Sequence, residues 1–172
     1  MFWSKCKPSD AAIRDILRAF YQAEALCGGV VLGIVSWYLA HWNDTKKYPG
    51  ARLCFTEIIA GLATVYGSIF IWTWDWFPRL SALINLLFSL AFFAAYGALI
   101  AWEYDKNWVG WKADMGESYK ACWRAVEAFT FINGVLFLHS AGFALENSDH
   151  TPYQHNAPQG HGNSSTAPMQ QV

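Results

Sequence analysis

The feature that most constrains this chain is a set of four long stretches without any Asp, Glu, Lys or Arg. They cover residues 25–43, 58–74, 80–102 and 128–145, which makes 19, 17, 23 and 18 residues. A helix needs about 20 mostly apolar residues to cross the hydrocarbon core of a bilayer, within a range of roughly 17 to 25. The sequence therefore predicts an all-α integral membrane protein in which four transmembrane helices form a bundle.

Tryptophan and tyrosine gather at the ends of these stretches. Trp37 and Tyr38 end the first, Trp72 ends the second, Trp102 ends the third, and Trp123 comes just before the fourth. Amphipathic aromatic rings concentrate where a span meets the headgroups. A soluble bundle would instead bury its tryptophans in the middle of its helices, so this pattern independently indicates four spans.

Three segments are expected along the chain. Residues 1–24, with Ser9 as a helix cap, predict a cytosolic or interfacial N-terminal segment. This segment is either an amphipathic turn at the interface or a plain extension of the first helix. The four-helix membrane domain is expected over residues 12–146. Residues 147–172 are rich in Gly, Pro, Ser, Gln, Asn and His, which predicts a disordered tail.

Three polar side chains in the segment from Arg124 to Glu146, which contains the last apolar stretch, raise the question of function. Glu127, Asn133 and His139 form either a proton or ion site or only the edges and adhesion points of a helix in lipid. At 100° per residue they do not converge on one point. Glu127 lies three residues after Arg124, near the membrane edge, and Asn133 can hydrogen-bond to another helix. Because the other three stretches offer no charged partner, we favour the structural interpretation.

Small residues predict close helix packing. Gly29 and Gly33 are spaced as in the small-xxx-small pattern, which lets helix backbones approach each other. Asn133 and Gly134 are expected to pack in the same way on the fourth helix.

Two cysteines are expected on the same face of the membrane. Cys54 and Cys122 each precede an apolar stretch, which makes them the candidate disulfide pair. Two reduced thiols are the favoured alternative, because their separation in space is not given by the sequence.

The remaining function classes are limited by what the sequence lacks. It has no Ser-His-Asp grouping, no HExxH and no phosphate-binding glycine loop, so we predict no enzyme, no catalytic residue, no metal and no cofactor. A net charge of −1 without a basic stripe argues against a nucleic-acid partner.

Several positions in the third and fourth stretches resemble the MARVEL family, in particular its small fungal members. They are Leu87-Phe88, Phe92-Phe93-Ala94-Ala95, Cys122, Ala125, Ala128-Phe129, Phe131-Ile132-Asn133 and Leu136-Phe137. The likeness also includes the spacing of the four spans and covers residues 12–146.

The resemblance implies a non-enzymatic tetraspan protein of sterol-rich membrane regions. Such proteins organise membrane domains, bring membranes into apposition and take part in vesicle trafficking at the plasma membrane or on endomembrane vesicles. The expected partners are membrane lipids, including sterols, and a second copy of the chain or other membrane proteins. The alternative is a small transporter, a channel or an accessory subunit of a larger membrane complex.

Topology follows partly from the number of spans. Four spans place both termini on one side, but five Lys and Arg lie on the terminal side and seven on the loop side, so the positive-inside rule does not decide. The small excess of positive charge before the first helix and the family resemblance lead us to predict that both termini are cytosolic.

Overall fold

A computed structural model describes residues 10–41, 51–73, 78–104 and 118–148. These segments form four helices: α1 (Asp10–Ala40), α2 (Ala51–Thr73), α3 (Pro78–Tyr104) and α4 (Tyr119–Ser148). The described part of the chain contains no strand. The predicted all-α fold with four apolar helices is confirmed.

Each helix is long enough to cross a membrane. The apolar portions are Asp15–Ala40, Ala51–Trp72, Arg79–Glu103 and Tyr119–Glu146, of 26, 22, 25 and 28 residues. At a rise of about 1.5 Å per residue the shortest of them is roughly 33 Å long, and a hydrocarbon core is about 30 Å thick. By length and composition, the chain is a multi-pass integral membrane protein.

The helices run alternately up and down and form a ring. Each packs against its neighbour in the chain, and α4 closes the ring on α1. Contacts fix the antiparallel order: Gly28 lies beside Thr64, the rings of Trp102 and Trp123 are 4.6 Å apart, and Ser140 bonds to Glu24. We call the end where α1 begins and α4 ends the terminal end, and the other the opposite end.

Within the described residues, the bundle has eight buried polar residues in a mostly apolar core, and its outer surface is apolar. Large apolar side chains face outward on every helix, with Leu26 72% and Leu62 57% exposed. The buried polar residues are Glu24, Thr56, Ser81, Asn85, Ser89, Thr130, Asn133 and Ser140. Lipid takes the place of an apolar partner around the outer surface, and some of the interior polar groups, such as Ser89 and Ser140, bond to another helix.

Aromatic side chains fill the interior at the opposite end. Tyr38, Trp102, Tyr119 and Trp123, which we call the aromatic cluster, are buried together with aliphatic residues of all four helices. The expectation that tryptophan marks only the lipid interface is therefore wrong for Trp102 and Trp123. Because these rings belong to a contact between helices, their place near helix ends reflects packing as well as membrane depth.

The N-terminal boundary also differs from the prediction. Residues 10–24 continue α1 without a break, and Leu17 and Tyr21 are buried in the bundle. Helical continuity agrees with an extension of the first helix, but the burial of Leu17 and Tyr21 does not fit a segment outside the bundle, and residue 24 is not a structural boundary. Ser9, the three connecting loops and residues 149–172, which hold nearly all of the predicted tail, lie outside the described residues.

Candidate functional site

The three polar residues singled out on α4 do not form one site. Glu127 lies near the opposite end, half-buried, and accepts a hydrogen bond from the indole Nε1 of Trp123 at 2.9 Å. His139 is exposed nearer the terminal end, where its Nδ1 lies 2.8 Å from the Val135 carbonyl oxygen of its own helix. The prediction that these side chains do not converge agrees with this placement.

Asn133 is fully buried between them, but it does not bridge helices. Neither its amide nitrogen nor its amide oxygen has a hydrogen-bond partner among the described residues. The expected bond from Asn133 to another helix is therefore wrong. Ser89 makes such a bond instead, because its Oγ donates to the Gly134 carbonyl oxygen at 2.9 Å.

The glycines that allow close packing are not all those that were predicted. Gly134 does lie at a helix contact, since a Cβ there would stand 3.1 Å from the Phe93 ring. Gly29 and Gly33 face open space, so the prediction that they pack within the bundle is wrong. Their role in contacts between chains stays a prediction.

Gly28 is the residue of α1 that meets α2 closely. A Cβ at this position would lie 2.7 Å from the Thr64 Oγ1 and 3.2 Å from the Ala60 carbonyl oxygen. Gly28 is one residue, or about 100° of helix rotation, from Gly29, so sequence spacing alone selected the wrong face.

The candidate cysteine pair forms no disulfide. Cys54 and Cys122 are both half-buried, and no described cysteine is joined to another. The favoured alternative of two thiols agrees with the structure.

The functional residue that sequence reasoning missed is Glu24. It is 0% exposed, and the Ser140 Oγ of α4 donates to its Oε1 at 2.5 Å. Its second oxygen, Oε2, has no hydrogen-bond partner among the described residues. The statement that no helix other than α4 brings a charged group into the membrane interior is therefore wrong. Its spacing with Leu17 and Tyr21 could have placed Glu24 on the buried face.

Glu24 lies well inside the span. It is nine residues beyond Asp15, where the apolar portion of α1 begins, which is about 13 Å along a helix. Its carboxyl group thus belongs to a candidate span of 26 residues and is enclosed by the bundle. Intramembrane acids of this kind usually face a bundle interior and mark a functional site.

A network of polar side chains lies next to Glu24, toward the terminal end. Tyr21 is one turn away on the same face of α1, and its hydroxyl lies 2.8 Å from the Ser81 Oγ of α3. The Asn85 Nδ2 donates to the Tyr21 hydroxyl at 3.3 Å, and the Tyr66 hydroxyl of α2 lies 3.3 Å from Ser81. With Ser140, these groups bring all four helices together around one polar region, which we call the Glu24 site.

Two acceptor oxygens of the Glu24 site have no hydrogen-bond donor bound to them. The Asn85 Oδ1, like the Glu24 Oε2, is buried with no hydrogen-bond partner in the described part of the chain. No group of three or more described His, Cys, Asp or Glu residues has the arrangement of a metal site. The arrangement can hold a proton or a small cation, and it contains no nucleophile paired with a base.

Fold and site together define a four-helix integral membrane protein with an acidic residue buried in its interior. Comparison with known proteins gives no narrower class. No family model, no curated protein and no solved structure matches this chain.

Proposed function

We propose that this chain is a non-enzymatic tetraspan protein that organises membrane domains, acting through its outer surface on lipids and neighbouring membrane proteins. The observation that carries the proposal is the buried aromatic cluster at the opposite end. Trp123 and Tyr38 are each 1% exposed there, and their rings are 5.4 Å apart. The polar interior of the terminal half therefore ends against packed aromatic side chains. A static bundle whose outer surface is the working surface fits this arrangement better than a conduction path.

The finer assignment rests on the resemblance of α3 and α4 to MARVEL domains. It includes roles in membrane apposition and vesicle trafficking, a location at the plasma membrane or on endomembrane vesicles, and sterols among the bound lipids. The outward position of Gly29 and Gly33 supports association with a second copy of the chain or with another membrane protein. Small residues on an outer face let two helices approach closely in lipid.

A small transporter, or a subunit of one, is the second candidate. Glu24 is the observation that favours it, because a buried acid inside a span is common in proton and ion pathways. The two candidates differ in a measurable way. A membrane organiser changes the distribution of proteins and lipids in the plane of the bilayer, whereas a transporter moves a solute across it.

Reconstitution of the purified protein into two kinds of vesicle distinguishes the membrane organiser from the transporter. The labelled protein is placed in giant vesicles in which sterol-rich and sterol-poor phases coexist, and in small vesicles loaded with a pH-sensitive or Na⁺-sensitive dye. We expect the protein to concentrate in one phase or in clusters that depend on sterol, with ion flux no faster than in protein-free vesicles. A uniform distribution together with flux that Glu24→Gln abolishes would establish the transporter instead.

A matched pair of variants tests whether the outer surface of α1 is responsible. Gly33→Leu changes an outward glycine of α1, and Gly97→Leu changes an outward glycine of α3 that likewise faces open space. We expect Gly33→Leu to reduce clustering and Gly97→Leu to leave it unchanged. An equal effect of both variants would show that added bulk anywhere on the surface, and not the α1 face, decides clustering.

A further inference from the structure

The carboxyl group of Glu24 is enclosed by the bundle without a positive partner. It forms no salt bridge in the described part of the chain, and its one hydrogen bond comes from the neutral hydroxyl of Ser140. Its Oε2 is buried and unpartnered. An isolated carboxylate in a low-dielectric interior is strongly unfavourable unless a positive charge or a proton neutralises it.

No side chain of the described helices supplies that charge. The titratable groups that face Glu24 are Tyr21 and Cys27 on α1 and Tyr66 on α2, and none of them carries a positive charge in any protonation state. On α3 the nearby groups are the neutral Ser81 and Asn85, and its charged residues, Arg79 and Glu103, lie near its two ends.

On α4, too, no described side chain provides a positive charge next to Glu24. Ser140 is neutral, and its neighbour His139 is exposed, with its ring stacked on Phe20 at 6.3 Å between centroids. None of the described side chains therefore neutralises the Glu24 carboxylate, whereas a bound proton or a small cation would.

The surrounding atoms match such a ligand. Around the Glu24 site the groups are a carboxyl, the hydroxyls of two tyrosines and two serines, and an amide oxygen, and hard cations such as Na⁺ bind to oxygen atoms of these types. Two of the acceptors, the Glu24 Oε2 and the Asn85 Oδ1, are each buried and still unpartnered. The hydroxyl groups of Tyr21, Tyr66 and Ser81 lie toward the terminal end. The aromatic cluster is packed in the interior at the opposite end.

We propose that Glu24 is the centre of an intramembrane site that binds one exchangeable monovalent cation, a proton or a sodium ion. Binding alone neutralises the buried carboxylate, and the site needs no net transport to be occupied. It is thus independent of whether the chain organises membranes or moves a solute.

Chemical modification of the full-length protein in mild detergent tests the proposal. Dicyclohexylcarbodiimide is a hydrophobic reagent that reacts with protonated carboxyl groups, and peptide mass spectrometry locates the modified residue. We expect modification at Glu24 in acidic buffer that is lost in alkaline buffer. Modification that NaCl suppresses and choline chloride does not identifies sodium as the ligand. Dependence on pH without sodium protection identifies the proton.

Two variants serve as matched controls. Glu24→Gln should lose the modified peptide, and Glu127→Gln, which changes the half-buried acid at the opposite end, should keep it. Protein denatured in dodecyl sulfate provides the positive control for reaction at Glu24. Failure of the folded protein to react at Glu24 at any pH, while the denatured protein reacts, would overturn the proposal, as would modification that responds to neither pH nor sodium.

Infrared spectroscopy of the unmodified protein, compared with Glu24→Gln to assign the band, gives a measurement that needs no reagent. The C=O stretching band of a protonated carboxylic acid in apolar surroundings should convert to carboxylate bands as pH rises or as Na⁺ is added. A protonated band that persists unchanged under both conditions would show that Glu24 is a permanently neutral hydrogen-bonding residue, and the exchangeable site would be rejected.

Discussion

At the scale of single residues, Asn133 and Ser89 show that a polar side chain inside the bundle need not hold helices together. Both are buried, but only Ser89 bonds to another helix, through the Gly134 carbonyl oxygen. An interhelical hydrogen bond in a membrane protein contributes about 0.6 kcal/mol on average. An unpartnered buried amide contributes no such bond, and its burial costs the hydrogen bonds that it would make to water.

Asn133→Leu should therefore leave the free energy of unfolding unchanged or raise it by up to about 1 kcal/mol, because it replaces an unpartnered amide with an apolar group of similar size. Ser89→Ala is the control, and it should lower stability by roughly 0.6 kcal/mol. Thermal unfolding in detergent measures both. A larger loss for Asn133→Leu than for Ser89→Ala would mean that Asn133 has a partner, such as a bound water or a second chain.

Glu24 is a buried residue whose position could not be predicted from its own stretch of sequence. A search for charge-free stretches must begin the first span at Ala25, so the criterion itself excludes Glu24. What places Glu24 inside the bundle is the register of α1 on α4, which the contacts of Glu24 with Ser140 and of Phe20 with His139 define. The expectation that Glu127 lies near a membrane edge rested on Arg124, one turn away on the same helix, and its depth stays a prediction, because Glu127 is eight residues beyond Tyr119, where the apolar portion of α4 begins.

At the scale of the helix, α1 presents different faces to protein and to lipid. Gly28 and Gly33 belong to the same apolar segment, but only Gly28 lies against another helix. The presence and length of all four helices could be predicted, because hydropathy and span length are properties of the segment. Which side of α1 faces α2 could not, since three glycines within six residues fit several packing directions.

Gly28→Leu should lower stability by about 1–3 kcal/mol or prevent folding, because the new side chain overlaps the Ala60 carbonyl oxygen and the Thr64 hydroxyl. Gly33→Leu should leave the folded monomer intact. Size-exclusion chromatography and thermal unfolding in detergent compare the two. Equal destabilisation by both substitutions would place Gly33 against another helix and contradict the packing described for α1.

The helix ends give a second contrast at this scale. Trp123→Ala should lower stability by about 3–5 kcal/mol, because the indole is buried against Trp102 and Tyr38. Trp72→Ala, at a site that is 85% exposed, should change it by about 0.5 kcal/mol or less. Unfolding monitored by circular dichroism in detergent gives both values, and similar losses for the two variants would argue against a structural role of the aromatic cluster.

At the scale of the whole molecule, the even number of helices places Asp10 and Ser148 at the same end of the bundle. We expect this end to face the cytosol. A peptide tag on the C-terminal tail should then be protected from protease added to intact cells and become cleavable after the cells are permeabilised. Cleavage in intact cells would reverse the orientation, with the four-helix fold unaffected.

The architecture as a whole was more predictable than the site. A four-helix membrane bundle follows from composition along the chain, because few folds place four stretches of this length in lipid. The polar region inside it joins residues from four helices that are as much as 119 positions apart, from Tyr21 to Ser140. No local pattern encodes such a meeting, so it required the tertiary structure.

The hydrogen bond between Glu24 and Ser140 also sets conditions on how the protein is made. α1 leaves the ribosome before α4 and carries an acid that opposes its release into lipid. Ser140, the hydrogen-bond partner of this acid, lies on α4, which is synthesised after the other three helices. In a nascent chain, Glu24 thus lacks its hydrogen-bond partner until α4 has been synthesised. A chain truncated after Tyr104 should be degraded faster in cells than the full-length protein. Glu24→Leu should prolong the half-life of the truncated chain and leave that of the full-length chain almost unchanged. Pulse-chase labelling measures all four half-lives, and an equal effect of the substitution on both chains would show that assembly does not wait for α4.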